Sequence, residues 1–118
     1  VGEVTLTIEG TPPSFNAVGH TGNRWKWTKE KKRWQESIEL ALMVWLPREL
    51  YTFIEARAIL TFPTKRRRDE GNYRVLLEKC LGDALVNGGW LADDTPDQFR
   101  FHGVEFEHGE ARTQIILS

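Results

Sequence analysis

Apolar and polar residues alternate with period two over Val4-Thr5-Leu6-Thr7-Ile8, the pattern of a strand with one buried face. Thr11-Pro12-Pro13-Ser14 breaks the alternation, and the residues up to about Asn23 are rich in turn formers. From Thr28 the period changes. Thr28, Lys29 and Glu30 form a helix start, and Trp34, Ile38, Leu42 and Trp45 recur at helical spacing until Pro47 stops them. A second strand is predicted from about Tyr51 to Phe62, with Phe53 or Ile54, then Ala56, Ala58 and Leu60, on its apolar side. Asn72 to Leu85 reads as a second helix, closed by Asn87-Gly88-Gly89. Two further strands, about Phe99 to Phe106 and Arg112 to Leu117, flank the turn Glu107-His108-Gly109-Glu110. The predicted fold is α+β, one domain over 1–118, with a small mixed sheet and two main helices in the order β-α-β-α-β-β. No internal repeat or linker divides it.

A chain of 118 residues is long enough for one core, and 40 % hydrophobic with 28 % charged residues is ordinary globular composition. The net charge of −1 excludes a uniformly basic protein, but the cations are unevenly placed. Of 16 Lys and Arg, six lie between Arg24 and Arg33 and four between Lys65 and Arg68, as expected of local anion-binding faces. The single cysteine, Cys80, rules out an internal disulfide and a Cys-based zinc site, which fits a reducing, cytoplasmic setting. His20, His102 and His108 show no metal-ligand spacing. No apolar run approaches the roughly 18 residues of a membrane span, and no signal-peptide pattern is visible. The chain opens on Val1 rather than Met, which points to a start lying upstream.

The stretch Thr64-Lys65-Arg66-Arg67-Arg68-Asp69-Glu70-Gly71-Asn72 switches from four cations to two carboxylates. A second acidic pair, Asp93-Asp94, follows the second helix. A helix of roughly 14 residues is about 21 Å long, but Gly88-Gly89 lets Trp90-Leu91 double back, so both acidic turns are expected at one end of the sheet. Carboxylates brought together repel, and a divalent cation relieves that repulsion. All-oxygen ligands favour Mg2+, with Mn2+ as an alternative. Such an ion beside a cationic rim is a coherent layout for phosphodiester hydrolysis, although solvated charge runs and acidic helix starts account for the same residues. On the second helix, Asn72, Lys79 and Asp83 fall within about 40° of one another, beside an apolar face of Leu77, Cys80, Leu81 and Ala84. Lys79 and Asp83 read either as a surface ion pair or as part of an active edge with Lys79 on the reacting phosphate. Glu78, over a quarter-turn away, is discounted as a ligand.

Arg66-Arg67-Arg68-Asp69, Asn72, Lys79, Asp83-Ala84-Leu85, Gly88 or Gly89, and Trp90-Leu91-Ala92-Asp93-Asp94 through Gln98 together resemble the RusA family of Holliday junction resolvases. Pro12-Pro13-Ser14-Phe15-Asn16 is similar to that family's motif after its first strand. The resemblance implies a homodimeric, Mg2+-dependent endonuclease, frequent in phages and prophages, that nicks four-way DNA junctions in pairs in recombination and repair. Asp69 and Asp94 match the family's acidic positions, and Lys79 its helix lysine.

Two departures stand out. The family pattern Asp-x-Asp-Asn is here Asp69-Glu70-Gly71-Asn72, so Gly71 occupies an aspartate's place, and Asn72 and Lys79 are about one helical turn further apart than in the family. The expected site is therefore Asp69 and Asp94 on the metal, with Glu70, Asp83 or Asp93 completing the shell, and Lys79 on the phosphate. Lys65, Arg66, Arg67, Arg68, Asn72, Arg24, Lys26 and Lys29 are expected on the DNA arms. Gly71 motivates an alternative, a protein that binds branched DNA without cutting it. A third reading is an assembly domain using the Trp-rich first helix. Trp34 and Trp45 are expected in the core, whereas Trp25 and Trp27, interleaved with cations, are candidates for stacking on bases.

Overall fold

The computed structural model describes residues 2–15 and 24–118. The turn-rich stretch 16–23, with Asn16 and His20, lies outside the described residues. The elements are β1 (Val4–Glu9), α1 (Arg24–Trp45), β2 (Ile54–Phe62), α2 (Gly71–Asn87), β3 (Phe99–His108) and β4 (Arg112–Leu117). The four strands form one mixed sheet in the order β1-β4-β2-β3, so the fold is the expected single α+β domain with two main helices.

The register explains why one face of the sheet is apolar. Ala56 pairs with Leu117 and Phe101, Ala58 with Ile115 and Val104, and Leu6 with Ile115, so these residues share a side. All are buried, while Thr5, Arg57, Arg100 and Glu105 alternate onto the polar side. Both helices cover the apolar side. Trp34, Ile38 and Leu42 of α1 and Leu76, Leu77, Cys80, Leu81, Ala84 and Leu85 of α2 are at most 2 % exposed. Small Ala56 and Ala58 on the central strand leave room for that packing.

β2 and β3 are parallel neighbours, and a parallel pair needs a long crossover. Helix α2 is that crossover. The short connection from β3 to β4 crosses the end of β2, where the Gly109 N–H donates to Phe62 O at 2.9 Å.

Three sequence expectations are corrected. Helix α1 starts at Arg24 rather than Thr28, because Trp27 already packs against the core and meets Phe15 edge-on at 5.2 Å, contacts beyond the reach of helical periodicity. Strand β2 starts at Ile54 rather than Tyr51, whose N–H donates at 2.8 Å to Trp90 O in the neighbouring turn. Trp45 is 56 % exposed instead of buried, because α1 ends there and the ring lies beyond the last turn resting on the sheet.

After α2 the chain reverses sharply. Trp90 N and Leu91 N both donate to Leu85 O, at 2.9 and 3.1 Å, and Gly89 sits at φ +82°. The Trp90 ring folds over Gly88, where a methyl group would lie 2.0 Å from Cζ3. Trp90 is buried and flanked by the Arg48 guanidinium 4.9 Å from its ring centre, so it has little freedom to yield. Gly88→Ala is expected to destabilise the fold by about 1–3 kcal/mol through this clash. Gly89→Ala, strained only in φ, is expected to cost about 1 kcal/mol. Urea denaturation of the two variants checks the order.

Candidate functional site

The reversal at Gly88–Trp90 carries the acidic turn back along α2. Asp94 comes to rest against Gly82: a Cβ added there would lie 3.2 Å from Asp94 Oδ2 and 3.4 Å from Asp94 Cβ. Any larger side chain at position 82 would push the carboxylate away. Asp93 fixes the turn, its Oδ1 accepting the Asp94 N–H at 2.8 Å, while Gln98 Oε1 accepts the Asp93 N–H at 3.1 Å. Thr95 and Asp97 close the next bend by a hydroxyl-to-carboxylate hydrogen bond.

The result is a groove lined by Trp27 and Lys31 of α1, Val75, Glu78 and Lys79 of α2, and Asp94 with Phe99. Val75, Glu78, Lys79 and Gly82 stand at i, i+3, i+4 and i+7, one face of a helix. Glu78, discounted from the sequence, therefore belongs to the groove. Glu78 lies over a quarter-turn from Lys79, but the groove's midline runs over Val75 and Gly82, with Glu78 and Lys79 about 50° to either side.

Lys79 is ion-paired and lines the groove. Its Nζ lies 3.3 Å from Asp83 Oδ1, an ion pair at i, i+4, and the side chain is 56 % exposed beside the groove. Such a pair at the surface of a helix contributes only about 0.3–0.5 kcal/mol. Asp83 is paired with Lys79 and does not line the groove.

The other acidic corner lies elsewhere. Asp69 shares a separate recess with Arg67, Arg68, Glu70 and Asn72 at the start of α2. Its Oδ1 accepts the Gly71 N–H at 3.1 Å, a local turn just before α2. Gly71 and Gly82, the anchor points of Asp69 and Asp94, are eleven residues apart on one helix, or about 16 Å along its axis. The expected meeting of the two corners around one ion is therefore not present within a single chain.

Glu70 is engaged by the sheet edge. Between Ala56 and Ala58 the register of β2 with β3 shifts, so β3 carries an extra residue and bulges. The bulge turns out the Val104 N–H, which donates to Glu70 Oε2 at 2.9 Å. Gly103 in the bulge has φ +147°, and a Cβ there would meet Glu70 Oε2 at 2.7 Å. Arg74 extends the chain of contacts. Its Nη1 lies 3.8 Å from Glu70, its Nε donates to Glu78 at 2.9 Å, and its Nη2 donates to Phe101 O at 2.5 Å. Glu70 thus ties α2 to the sheet edge.

Among the cations, Lys65, Arg66 and Arg67 are exposed on the loop before α2. Arg68 turns inward. Its guanidinium stacks 3.7 Å from the Phe62 ring centre and donates to Thr64 O, Thr64 Oγ1 and Arg66 O at 3.1–3.2 Å, so it shapes the loop that presents the other three. Arg24, Lys26 and Lys29 occupy the exposed first turns of α1, with Lys29 Nζ 5.2 Å from the ring centre of Trp25, itself 72 % exposed. Trp27, in contrast, is half-buried. Lys31 was not singled out from the sequence. The signal was its place on the inward stripe Trp27, Lys31, Trp34, Ile38, which brings an ammonium to the core's edge.

His102 pairs with Glu55 at 2.9 Å and His108 with Pro63 O at 3.0 Å, both away from the groove. Among the described residues no group of three or more His, Cys, Asp or Glu is placed to hold a metal ion, and no helix is long and apolar enough to cross a membrane. Comparison with protein-family models and with curated proteins finds no match to this chain.

Cys80 lies behind the groove, fully buried, its thiol donating to Lys31 O at 3.3 Å. Burial pushes its pKa up to about 12, Lys31 opposing the rise and Asp83 adding to it. A folded-state value raised above the unfolded one contributes stability that is complete below about pH 9 and is lost progressively towards pH 12, where only the unfolded chain ionises. Native protein at pH 8 is therefore expected to resist thiol reagents that label it fully in denaturant. Rapid native labelling, followed by absorbance, would contradict this placement.

Proposed function

We propose that this chain is a structure-selective DNA endonuclease that cuts four-way junctions by metal-dependent phosphodiester hydrolysis. The observation that carries the reading is the groove over Gly82, where a carboxylate from the acidic turn and the helix ammonium of Lys79 meet beside Lys31. Those are the positions of the resemblance, Asp94 and Lys79, assembled from parts of the chain 15 residues apart.

A fixed three-carboxylate cage is not what Mg2+ requires; it is commonly held by one or two carboxylates together with substrate phosphates and water. Asp94 and Glu78 are two carboxylates lining one groove, so the donor set fits an ion that arrives with the DNA. Bound there, Mg2+ (or Mn2+) supplies Lewis acidity at a phosphoryl oxygen and a more acidic water. Lys79 and Lys31 neutralise the phosphate and the charge that grows on it during attack. Asp93 and Gln98 hold the Asp94 turn in place. Val75, Trp27 and Phe99 give the groove a partly apolar wall that limits water around these charges.

Lys65, Arg66 and Arg67 on one loop, and Arg24, Lys26 and Lys29 on α1, supply sequence-independent attraction for the junction arms. Paired nicks on opposite strands call for a homodimer with two-fold symmetry. On this reading the protein works in the cytoplasm, of a host cell if a phage encodes it, and the single buried thiol suits a reducing compartment.

One observation favours a second reading, binding of branched DNA without cleavage. Asp69 lies about 16 Å of helix from Asp94, and Gly71 offers no side chain to bridge the gap.

A synthetic four-way junction with Mg2+ separates the two. Paired nicks are expected, and Asp94→Asn is expected to reduce them roughly a hundredfold or more while leaving binding nearly intact. Lys79→Ala is expected to lower both cleavage and the salt dependence of binding, the latter by about one unit of slope. Tight binding with no nicks in Mg2+ or Mn2+ supports the second reading, and no binding at low salt removes both.

A further inference from the structure

The second carboxylate of the groove is held from behind. Arg74 stands about 90° around α2 from the groove's midline, beyond Glu78, and does not line the groove itself. Its guanidinium nevertheless engages a groove residue, since Nε donates to Glu78 Oε1 at 2.9 Å. The rest of the fork is anchored away from the groove. Nη2 donates to Phe101 O at 2.5 Å, and Nη1 lies 3.8 Å from Glu70 Oε2, which itself accepts the Val104 N–H. The guanidinium carbon is also 5.7 Å from the Phe101 ring centre. An ordinary i, i+4 pair joins two mobile side chains at a helix surface and contributes little. Here one partner is fixed by β3, so the pair decides where the other partner's carboxylate stands.

We propose that Arg74 is a positioning residue: anchored on β3, it holds the Glu78 carboxylate in place for a divalent ion that arrives with the DNA. That role rests on the proposed nuclease reading of the groove. The charges around Glu78 say why it needs holding. The cations that line the groove are Lys31 and Lys79. A Glu78 side chain released from Arg74 would turn towards them, neutralising the ammoniums that a phosphate needs and withdrawing a ligand from the ion. With Oε1 taken by the guanidinium, Oε2 is left for the metal. Residues that hydrogen-bond a metal-ligating carboxylate from outside the site commonly set its orientation and the affinity of the ion.

Mn2+ titrated into the protein bound to a synthetic four-way junction tests this, read by the broadening of the Lys79 and Gly82 amide resonances. Arg74→Ala is expected to raise the Mn2+ concentration for half-broadening about tenfold, and the Mg2+ concentration for half-maximal cleavage by a similar factor. Junction affinity and cleavage at saturating Mg2+ are expected to stay within about twofold of the parent. Arg74→Lys, which keeps the charge and one donor but loses the fork, is expected to show a smaller shift of about threefold. Glu78→Gln is expected to match Arg74→Ala, and the double variant to be no worse than either single one, because both remove the same held carboxylate. Unchanged half-broadening in both Arg74 variants, or losses that add in the double variant, overturns the role even where junctions are cut. A fall in maximal cleavage with no shift in metal response shows that Arg74 only braces α2, and overturns it too. A metal response that depends on Arg74 in a protein that makes no nicks keeps the positioning role and removes the nuclease reading. No Mn2+ effect at any groove amide removes both.

Discussion

The reversal of the chain after α2 is the constraint on which the candidate site depends. Two backbone N–H groups share the Leu85 carbonyl, Gly89 takes a left-handed conformation, and the Trp90 ring closes over Gly88. Tyr51 N–H then pins Trp90 O from the other side. Without that tight return the Asp93-Asp94 turn would project from the end of α2 into solvent. With it, Asp94 is laid back against Gly82, the one position of the groove face without a side chain. Two glycines thus do different work: one permits the turn, the other leaves room for the carboxylate it delivers.

The charges along α2 are sorted by this geometry. At its start, Arg68 is spent on its own loop, stacked on Phe62, and Lys65, Arg66 and Arg67 are turned outward. Farther along, Lys31, Lys79, Glu78 and Asp94 surround a groove that is partly apolar. The two places are about 16 Å apart along the helix. On a duplex rising about 3.4 Å per nucleotide, that distance spans about five nucleotides of one strand. On the proposed function, the cationic loop would contact one stretch of backbone while the groove addresses another. Glu70, clamped to the β3 bulge, and Arg74, bridging Glu70, Glu78 and Phe101 O, hold α2 at a fixed height over the sheet edge.

Much of this was legible in the sequence. The period-two runs and the stripe Trp34, Ile38, Leu42 located strands and helices, and Asn87-Gly88-Gly89 located the reversal, because local propensity and burial agree there. The groove was legible only in part. Asp94 and Lys79 were visible as chemistry, but Glu78 was missed because a single helical angle does not show where the returning chain will lie. Lys31 was hidden in a run of cations, and only the position of its neighbours on the inward stripe distinguished it. The engagement of Glu70 by the sheet was hidden because the bulge that makes it is a register shift in a strand more than 30 residues away. Nothing local to Gly103 announces that pairing. The exposed ring of Trp45 reflects the same limit, since periodicity does not say where the sheet beneath a helix ends.

The most direct test of the account is to locate a divalent ion on the DNA-bound protein. Mn2+ titrated into a complex with a four-way junction broadens amide resonances within its reach. Selective broadening of Lys79, Gly82 and Asp94, abolished by Asp94→Asn, is the predicted result. Broadening centred on Asp69 and Glu70, or none at any protein amide, would contradict the placement of the site over Gly82.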